Sequence, residues 1–232
     1  MQFSREGKKF SLELGAAILN FNHVTPTLDK MAVPMIKNFG DIETNKTVFF
    51  MCDMQERFRP SIEYFEGIVQ ICSRLVSTSN ILNIPLVVTE QYPKALGNTV
   101  SELDTSNAVG VYPKTKFSML IPAVEERLGT LCGGNVKHVV LFGIETHVCI
   151  QQTAIDLLKR GIQVYIIADA VSSRFQHDRL YALERLRHIG ATVTTSESIL
   201  FQLLGDKDHS DFKAVQALVK EKYPDTGLLN KL

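Results

Sequence analysis

Three short segments, far apart in the chain, each set a chemically capable side chain just after an apolar run. They are Asp53 in Cys52-Asp53-Met54-Gln55, Lys114 in Tyr112-Pro113-Lys114-Thr115-Lys116, and Cys149 in Gly143-Ile144-Glu145-Thr146-His147-Val148-Cys149. Alone, each has an ordinary explanation: a strand-end Asp caps a loop, a Lys is solvated, and a Cys ahead of a helix packs as a small hydrophobe. Together they supply a nucleophile, a proton carrier and a cation. Gly143 lets the backbone turn where its apolar run ends, and Thr146 or His147 then opens a helix whose first turn holds Cys149. A thiol there feels the positive end of the helix dipole, and exposed N–H groups nearby can receive a developing negative oxygen. Asp53 can take the thiol proton and return it to a leaving group, while Lys114 keeps the carboxylate charged and oriented.

For these three residues to meet, the chain must bring several strand ends to one edge. Short apolar runs recur at Val48–Cys52, Pro85–Val88, Val109–Tyr112, His138–Phe142, Gln163–Ala168 and Thr192–Thr194. Helix-length segments fall between them at Ser61–Leu82, Leu120–Leu128, Val148–Lys159 and Asp178–His188, with Gly161 and Gly190 as stops. Runs without clean in/out alternation, separated by helices, predict strands covered on both faces and hence a parallel sheet in an open α/β fold. Such folds bind ligands outside the carboxyl ends of their strands, where Asp53, Lys114 and Cys149 fall. Beyond Ser196 two further helices are expected, one over Asp211–Tyr223 packing on the outside.

Composition narrows the function classes. A chain of 232 residues with 45% apolar content can bury the core of a single domain. Twenty-five basic residues balance twenty-five acidic ones, so the electrostatic footprint of a nucleic-acid binder is missing and a small-molecule ligand is expected instead. No stretch reaches the roughly 18 to 20 apolar residues of a membrane span. The four cysteines form no Cys-x-x-Cys pair, which fits a reduced, cytoplasmic setting. The C-terminal Asn230-Lys231-Leu232 resembles the Ser-Lys-Leu peroxisomal address at two positions of three, although a plain polar tail explains it as well. Residues 1–45 lack a sustained period and read as a leader, leaving residues 46–232 as the folded domain. Neither a Gly-x-Gly-x-x-Gly turn nor a phosphate-binding Gly-rich loop is present, and no second carboxylate follows Asp53 two residues on, so dinucleotide, nucleotide and magnesium phosphotransferase sites are unsupported.

The segments Phe50-Met51-Cys52-Asp53-Met54-Gln55, Pro113-Lys114-Thr115-Lys116-Phe117-Ser118 and Gly143–Cys149 resemble, in order, the three signature regions of the isochorismatase-like (cysteine hydrolase) superfamily, over about Thr47 to the C-terminus. The resemblance implies a three-layer Rossmann-like fold with a six-stranded parallel sheet flanked by helices. It implies a cofactor-independent hydrolase in which Asp53 is the general acid/base, Lys114 the orienting cation and Cys149 the nucleophile. It also implies a cis peptide between Ile144 and Glu145, aiming the N–H of Glu145 or Thr146, with that of Cys149, at an oxyanion. Self-association through helices outside the sheet is a further implication. Two positions depart from the pattern. Glu90-Gln91-Tyr92 stands where metal-dependent nicotinamidases of the superfamily carry an Asp-x-His cluster, so no metal is expected and nicotinamidase activity is not. His147 stands where Asp is usual, and either touches substrate or caps the helix.

Gln55, Phe58, Gln91, Tyr92 and Phe117 lie on the same strand-end loops, where they line a substrate pocket or pack as ordinary loop residues. Asp169 and Arg174, beyond the fifth strand, border the same edge, and Asp169 can equally bond a backbone turn. The expected function is hydrolysis of a small amide, ester or related C–N or C–O substrate. Within that class, vinyl-ether cleavage would use Asp53 as an acid and need no thiol. The competing class is a non-catalytic isochorismatase-fold binding or scaffold protein.

Overall fold

The computed structural model describes residues 40–228; most of the expected leader and the terminal Asn230-Lys231-Leu232 lie outside them. Six strands form one parallel sheet: β1 (Thr47–Cys52), β2 (Leu86–Gln91), β3 (Gly110–Lys114), β4 (His138–Ile144), β5 (Gln163–Ser172) and β6 (Thr192–Thr194). Their spatial order is β3-β2-β1-β4-β5-β6. The chain therefore winds outward from β1 to one edge, then returns to β4 beside β1 and winds to the other. The winding direction thus reverses between β1 and β4, the usual ligand position in such sheets.

Side chains of β1 alternate between two cores, as the two-residue period of a strand requires. Phe49 and Met51 join Phe142 and Tyr165 on one face, while Val48, Phe50 and Cys52 join Leu141, Cys149 and Ile166 on the other. Every residue of β1 and β4 is buried, which is why neither reads as an alternating strand in the sequence. At the edge, β3 alternates in exposure and tolerates Pro113, whose missing N–H costs an edge strand little.

The first face is covered by α1 (Phe65–Ile81), which buries Ile68, Ile71, Cys72, Leu75 and Val76 at helical spacing, and by α6 (Ser196–Leu204). Residues of α7 (Phe212–Val219) contact both α1 and α6, and Val215 reaches the core. The opposite face carries α3 (Pro122–Leu128), α4 (Gln151–Leu158) and α5 (Gln176–His188). Gly161 and Gly190 follow α4 and α5 with φ of 72° and 99°, the left-handed stops expected of them. The short α2 (Pro93–Leu96) was not legible in the sequence. Ahead of β1, Thr44 donates to Leu203 O at 3.1 Å and Tyr165 donates to Asp41 O at 2.8 Å, so residues just before the domain's expected start also pack on it. The buried Arg179 donates to Ala168 O at 2.7 Å and to Thr226 O, strapping the chain after α7 across the end of the sheet.

Candidate active site

β1 and β4 end side by side, and Gly143 makes that closeness possible. Its φ is 114°, and a Cβ built on it would lie 2.2 Å from Cys52 O, so only glycine fits against β1. Asp53 follows β1 in the left-handed region, at φ 53°, with its N–H bonded to Thr89 O at 3.1 Å. The cis Ile144–Glu145 peptide expected from the resemblance is present at the end of β4. The chain then enters a π-helical turn over Thr146–Ile150, closed by Ile150 N donating to Glu145 O at 3.1 Å, and continues directly into α4. Cys149 sits in that turn, held from behind by Thr153, whose hydroxyl donates to Cys149 O at 2.7 Å.

Lys114 reaches across from the end of β3, past β2, into this corner. Its ammonium donates to Asp53 Oδ2 at 2.7 Å, Gln91 Oε1 at 2.7 Å, Phe117 O at 2.9 Å and Lys116 O at 3.2 Å, and lies 3.7 Å from Cys149 Sγ. Thr89 completes the carboxylate by donating to Asp53 Oδ1 at 2.8 Å. All three side chains are recessed, with Asp53, Lys114 and Cys149 exposed by 1, 4 and 5%. Burial works against the ammonium, yet its close contact with the Asp53 carboxylate outweighs it and holds Lys114 above its ordinary value.

The other expected site residues divide. Gln91 belongs to the lysine cage, and its Nε2 donates to Thr115 O at 2.9 Å. Tyr92 N–H donates to Lys114 O at 2.8 Å and Phe117 O accepts from the ammonium, while both aromatic rings stand about half exposed beside the site. Phe58 is half-buried and packs on the first core. Gln55 is fully buried and spent on backbone: it donates to Gln91 O at 3.0 Å and Gly97 O at 2.6 Å, and accepts from Gln91 N at 2.7 Å. It fixes the loop after β2 instead of facing a ligand. Thr146 N–H donates to Ser173 Oγ at 3.1 Å, so this amide is already committed. His147 faces the same hydroxyl at 3.0 Å, with Glu145 at 3.5 Å and Asp178 at 3.9 Å, and none of these partners belongs to the triad. Glu145 is itself pushed above the ordinary carboxyl range by burial, against the pull of His147 and Arg174. Asp169, within β5, accepts from Ser196 N at 2.7 Å and from Ser196 Oγ at 2.6 Å, so it bonds the first residue of α6 and not a local turn.

Thr89, Ser173 and Cys52 escaped sequence reasoning. Cys52 closes an apolar run that reads as strand and Thr89 directly follows another, and only the sheet order reveals what they touch. Cys52, Asp53 and Cys149 place their donor atoms within 4.8 Å of one another, close enough to share a thiophilic ion, but the Lys114 ammonium already supplies positive charge there. Glu90 accepts from Thr99 N at 2.6 Å and Thr99 Oγ1 at 2.9 Å, so its carboxylate is engaged by the loop that follows α2. A cavity of about 840 Å³ bounded by Asp169, Thr195, Phe201 and Tyr223, and another of about 530 Å³ at Tyr64, Phe175 and Arg179, contain no triad residue. Donor geometry, more than cavity size, marks the reactive corner. No helix among the described residues is long and apolar enough to cross a membrane.

An Asp, a Lys and a Cys are thus gathered at the switch point of a parallel α/β sheet, the arrangement that the resemblance to isochorismatase-like hydrolases implies. The Isochorismatase domain family profile matches residues 47–198, and the chain belongs to that family. It is 55% identical to isochorismatase domain-containing protein 1 of Salmo salar over 193 residues, covering 83% of this chain and 68% of the relative. Among solved structures it resembles the MAR1 ribonuclease of Caenorhabditis elegans, with a TM-score of 0.76 and 45% identity over 81% of this chain and 96% of that one. A cysteine hydrolase from Pseudomonas syringae pv. phaseolicola 1448A shares the fold at 17% identity, with a TM-score of 0.63 over 70% of this chain and 94% of that one.

Proposed function

We propose that the chain hydrolyses a small amide, ester or related C–N or C–O substrate through Asp53, Lys114 and Cys149. The observation that carries this reading is the single buried ammonium touching both the Asp53 carboxylate and the Cys149 sulfur. Cys149 Sγ attacks the carbonyl carbon and its proton passes to Asp53, whose carboxylate lies within 4.8 Å of the sulfur. The carbonyl oxygen, now negative, is received by the amides of Glu145 and Cys149, since that of Thr146 is occupied. Asp53 then protonates the leaving amine or alcohol, and afterwards takes a proton from the water that cleaves the thioester. Lys114 orients the Asp53 carboxylate through its 2.7 Å bond and offsets charge that develops on the sulfur. Tyr92 and Phe117 present apolar surface beside the corner and suit a substrate with an apolar group next to its carbonyl.

A second reading comes from the likeness to the C. elegans MAR1 ribonuclease. Asp53 could draw a proton from a ribose hydroxyl and Lys114 could offset charge on phosphate, with no covalent role for the thiol. The recessed triad and zero net charge favour the small substrate. One experiment separates the two. A panel of small amides and esters, and a single-stranded RNA, is offered to the wild type, Cys149→Ala and Asp53→Asn. Carbonyl substrates turned over by the wild type and by neither variant support the first reading. RNA cleaved by the wild type and by Cys149→Ala, with no carbonyl substrate consumed, supports the second.

The chain also has the surface for self-association. Phe175, Leu180 and Tyr181, at the start of α5, are 51, 62 and 69% exposed, a cluster that pairing of two α5 helices would cover.

A further inference from the structure

Cys52 is a thiol that the hydrolytic reading leaves unused, although it touches the nucleophile. It is the last residue of β1, fully buried, paired with Thr89 on one side and Gly143 on the other. Its side chain points into the same apolar core as Cys149. The two sulfurs lie within 4.8 Å of each other. The remaining thiols are elsewhere: Cys72 faces Ala170 O at 3.8 Å in the opposite core, and Cys132 faces Thr47 O at 3.6 Å at the start of β1.

We propose that Cys52 and Cys149 are a paired modification site, in which a hydroperoxide oxidises Cys149 and Cys52 converts the product to an internal Cys52–Cys149 disulfide. In the first step Cys149 Sγ attacks one peroxide oxygen and the O–O bond breaks. The sulfur is oxidised by two electrons to a sulfenic acid, and the other oxygen leaves reduced, as water from hydrogen peroxide or as an alcohol from an organic peroxide. In the second step Cys52 Sγ attacks the Cys149 sulfur and the S–O bond breaks. The hydroxyl group leaves with the Cys52 proton as water.

The surroundings assign the two roles. Cys149 retains slight exposure and lies 3.7 Å from the Lys114 ammonium, so of the two sulfurs it is the one an oxidant can reach. Cys52 has no exposure, and burial, its contact with Cys149 and the neighbouring Asp53 charge all hold it as a neutral thiol. Oxidant therefore meets Cys149 first, and Cys52 waits against it. Closing the bond to about 2.05 Å requires at most about 3 Å of sulfur travel from the observed separation, within reach of a side-chain rotation at Cys149. Such a bridge would withhold the sulfur from the irreversible sulfinic and sulfonic acids and return it on reduction. The inference goes beyond hydrolysis and does not require that the chain hydrolyse anything.

The test treats the full chain with hydrogen peroxide and reads intact mass and an unreduced peptide map, before and after dithiothreitol. The expected product is two hydrogens lighter, stays monomeric on a non-reducing gel, carries Cys52 linked to Cys149, and returns to its starting mass on reduction. In Cys52→Ala the same treatment should give a dimedone-trappable Cys149 that proceeds to acids dithiothreitol does not reverse. Should Cys52→Ala fail to fold, the linkage map of the unmutated chain decides alone. Sulfinic acid forming on Cys149 as readily in the wild type as in the variant, or bridges that use Cys72, Cys132 or a second chain, would overturn the proposal.

Discussion

Removing one partner of the Asp53–Lys114 pair should hurt the fold far more from the lysine side than from the aspartate side. In Lys114→Met the Asp53 carboxylate keeps Thr89 on Oδ1 but loses the ammonium that bonds Oδ2, inside a corner with about 1% exposure. Breaking a buried pair in this way costs about 3 to 5 kcal/mol, because an uncompensated charge is left out of water. In Asp53→Asn the ammonium still has Gln91 Oε1, Phe117 O and Lys116 O, three acceptors for its three protons. The loss there is one charge-assisted bond, about 1 to 3 kcal/mol. Total stability of a domain this size is about 5 to 15 kcal/mol, so Lys114→Met removes a large share. Urea unfolding followed by far-UV circular dichroism measures both, and suits a chain without tryptophan. Equal costs for the two variants, or a cost for Lys114→Met below about 1 kcal/mol, would refute the claim that this ammonium is held mainly to neutralise Asp53.

Three further outcomes follow from particular contacts. Gly143→Ala combines a φ of 114° with a Cβ 2.2 Å from Cys52 O, so it should destabilise by more than about 3 kcal/mol; an unchanged urea midpoint would contradict the close approach of β1 and β4. Burial holds His138 below its ordinary value, against the pull of Glu43, so as pH falls below about 6.5 the unfolded chain takes up a proton that the folded chain resists. Stability contributed by neutral His138 is thus present above that pH and lost below it. His138→Leu should flatten this part of the stability–pH curve, and an unaltered slope would assign it to other groups. Light scattering should find the wild type self-associated and a Leu180→Glu, Tyr181→Glu double variant monomeric; a monomeric wild type would remove α5 as an interface.

Most of the architecture was legible because period and burial agree along this chain. Buried runs such as Val48–Cys52 and His138–Phe142 can only be strands covered on both faces, and the glycines after α4 and α5 stop those helices where expected. The three reactive residues were legible from their positions at strand ends. Their convergence depends on strand order, which the sequence does not print: Lys114 meets Asp53 only because β2 lies between β3 and β1. Gln55 shows the opposite limit. Its position in the motif suggests a ligand contact, but Gln91 at the end of β2 and Gly97 beyond α2 offer three backbone groups that engage both its amide nitrogen and its oxygen. His147 turns toward Ser173 for a similar reason: the chain leaving β5 brings a hydroxyl within 3.0 Å of the ring. Cys52 was hidden because a thiol at the end of an apolar strand is indistinguishable from a small hydrophobe until its neighbour is known.

Covalent bonding of Cys149 to substrate under the control of Asp53 is the step on which the proposed hydrolysis depends. Rapid-quench mass spectrometry with p-nitrophenyl acetate, read at the peptide level for the wild type, Cys149→Ala and Asp53→Asn, tests this directly. The wild type should show a transient acetyl group on Cys149 during turnover. Cys149→Ala should show neither acetyl group nor turnover, and Asp53→Asn should lose about 10²- to 10⁴-fold in turnover while the acetyl group persists. Turnover surviving in Cys149→Ala, or acetylation confined to Cys132, would contradict it.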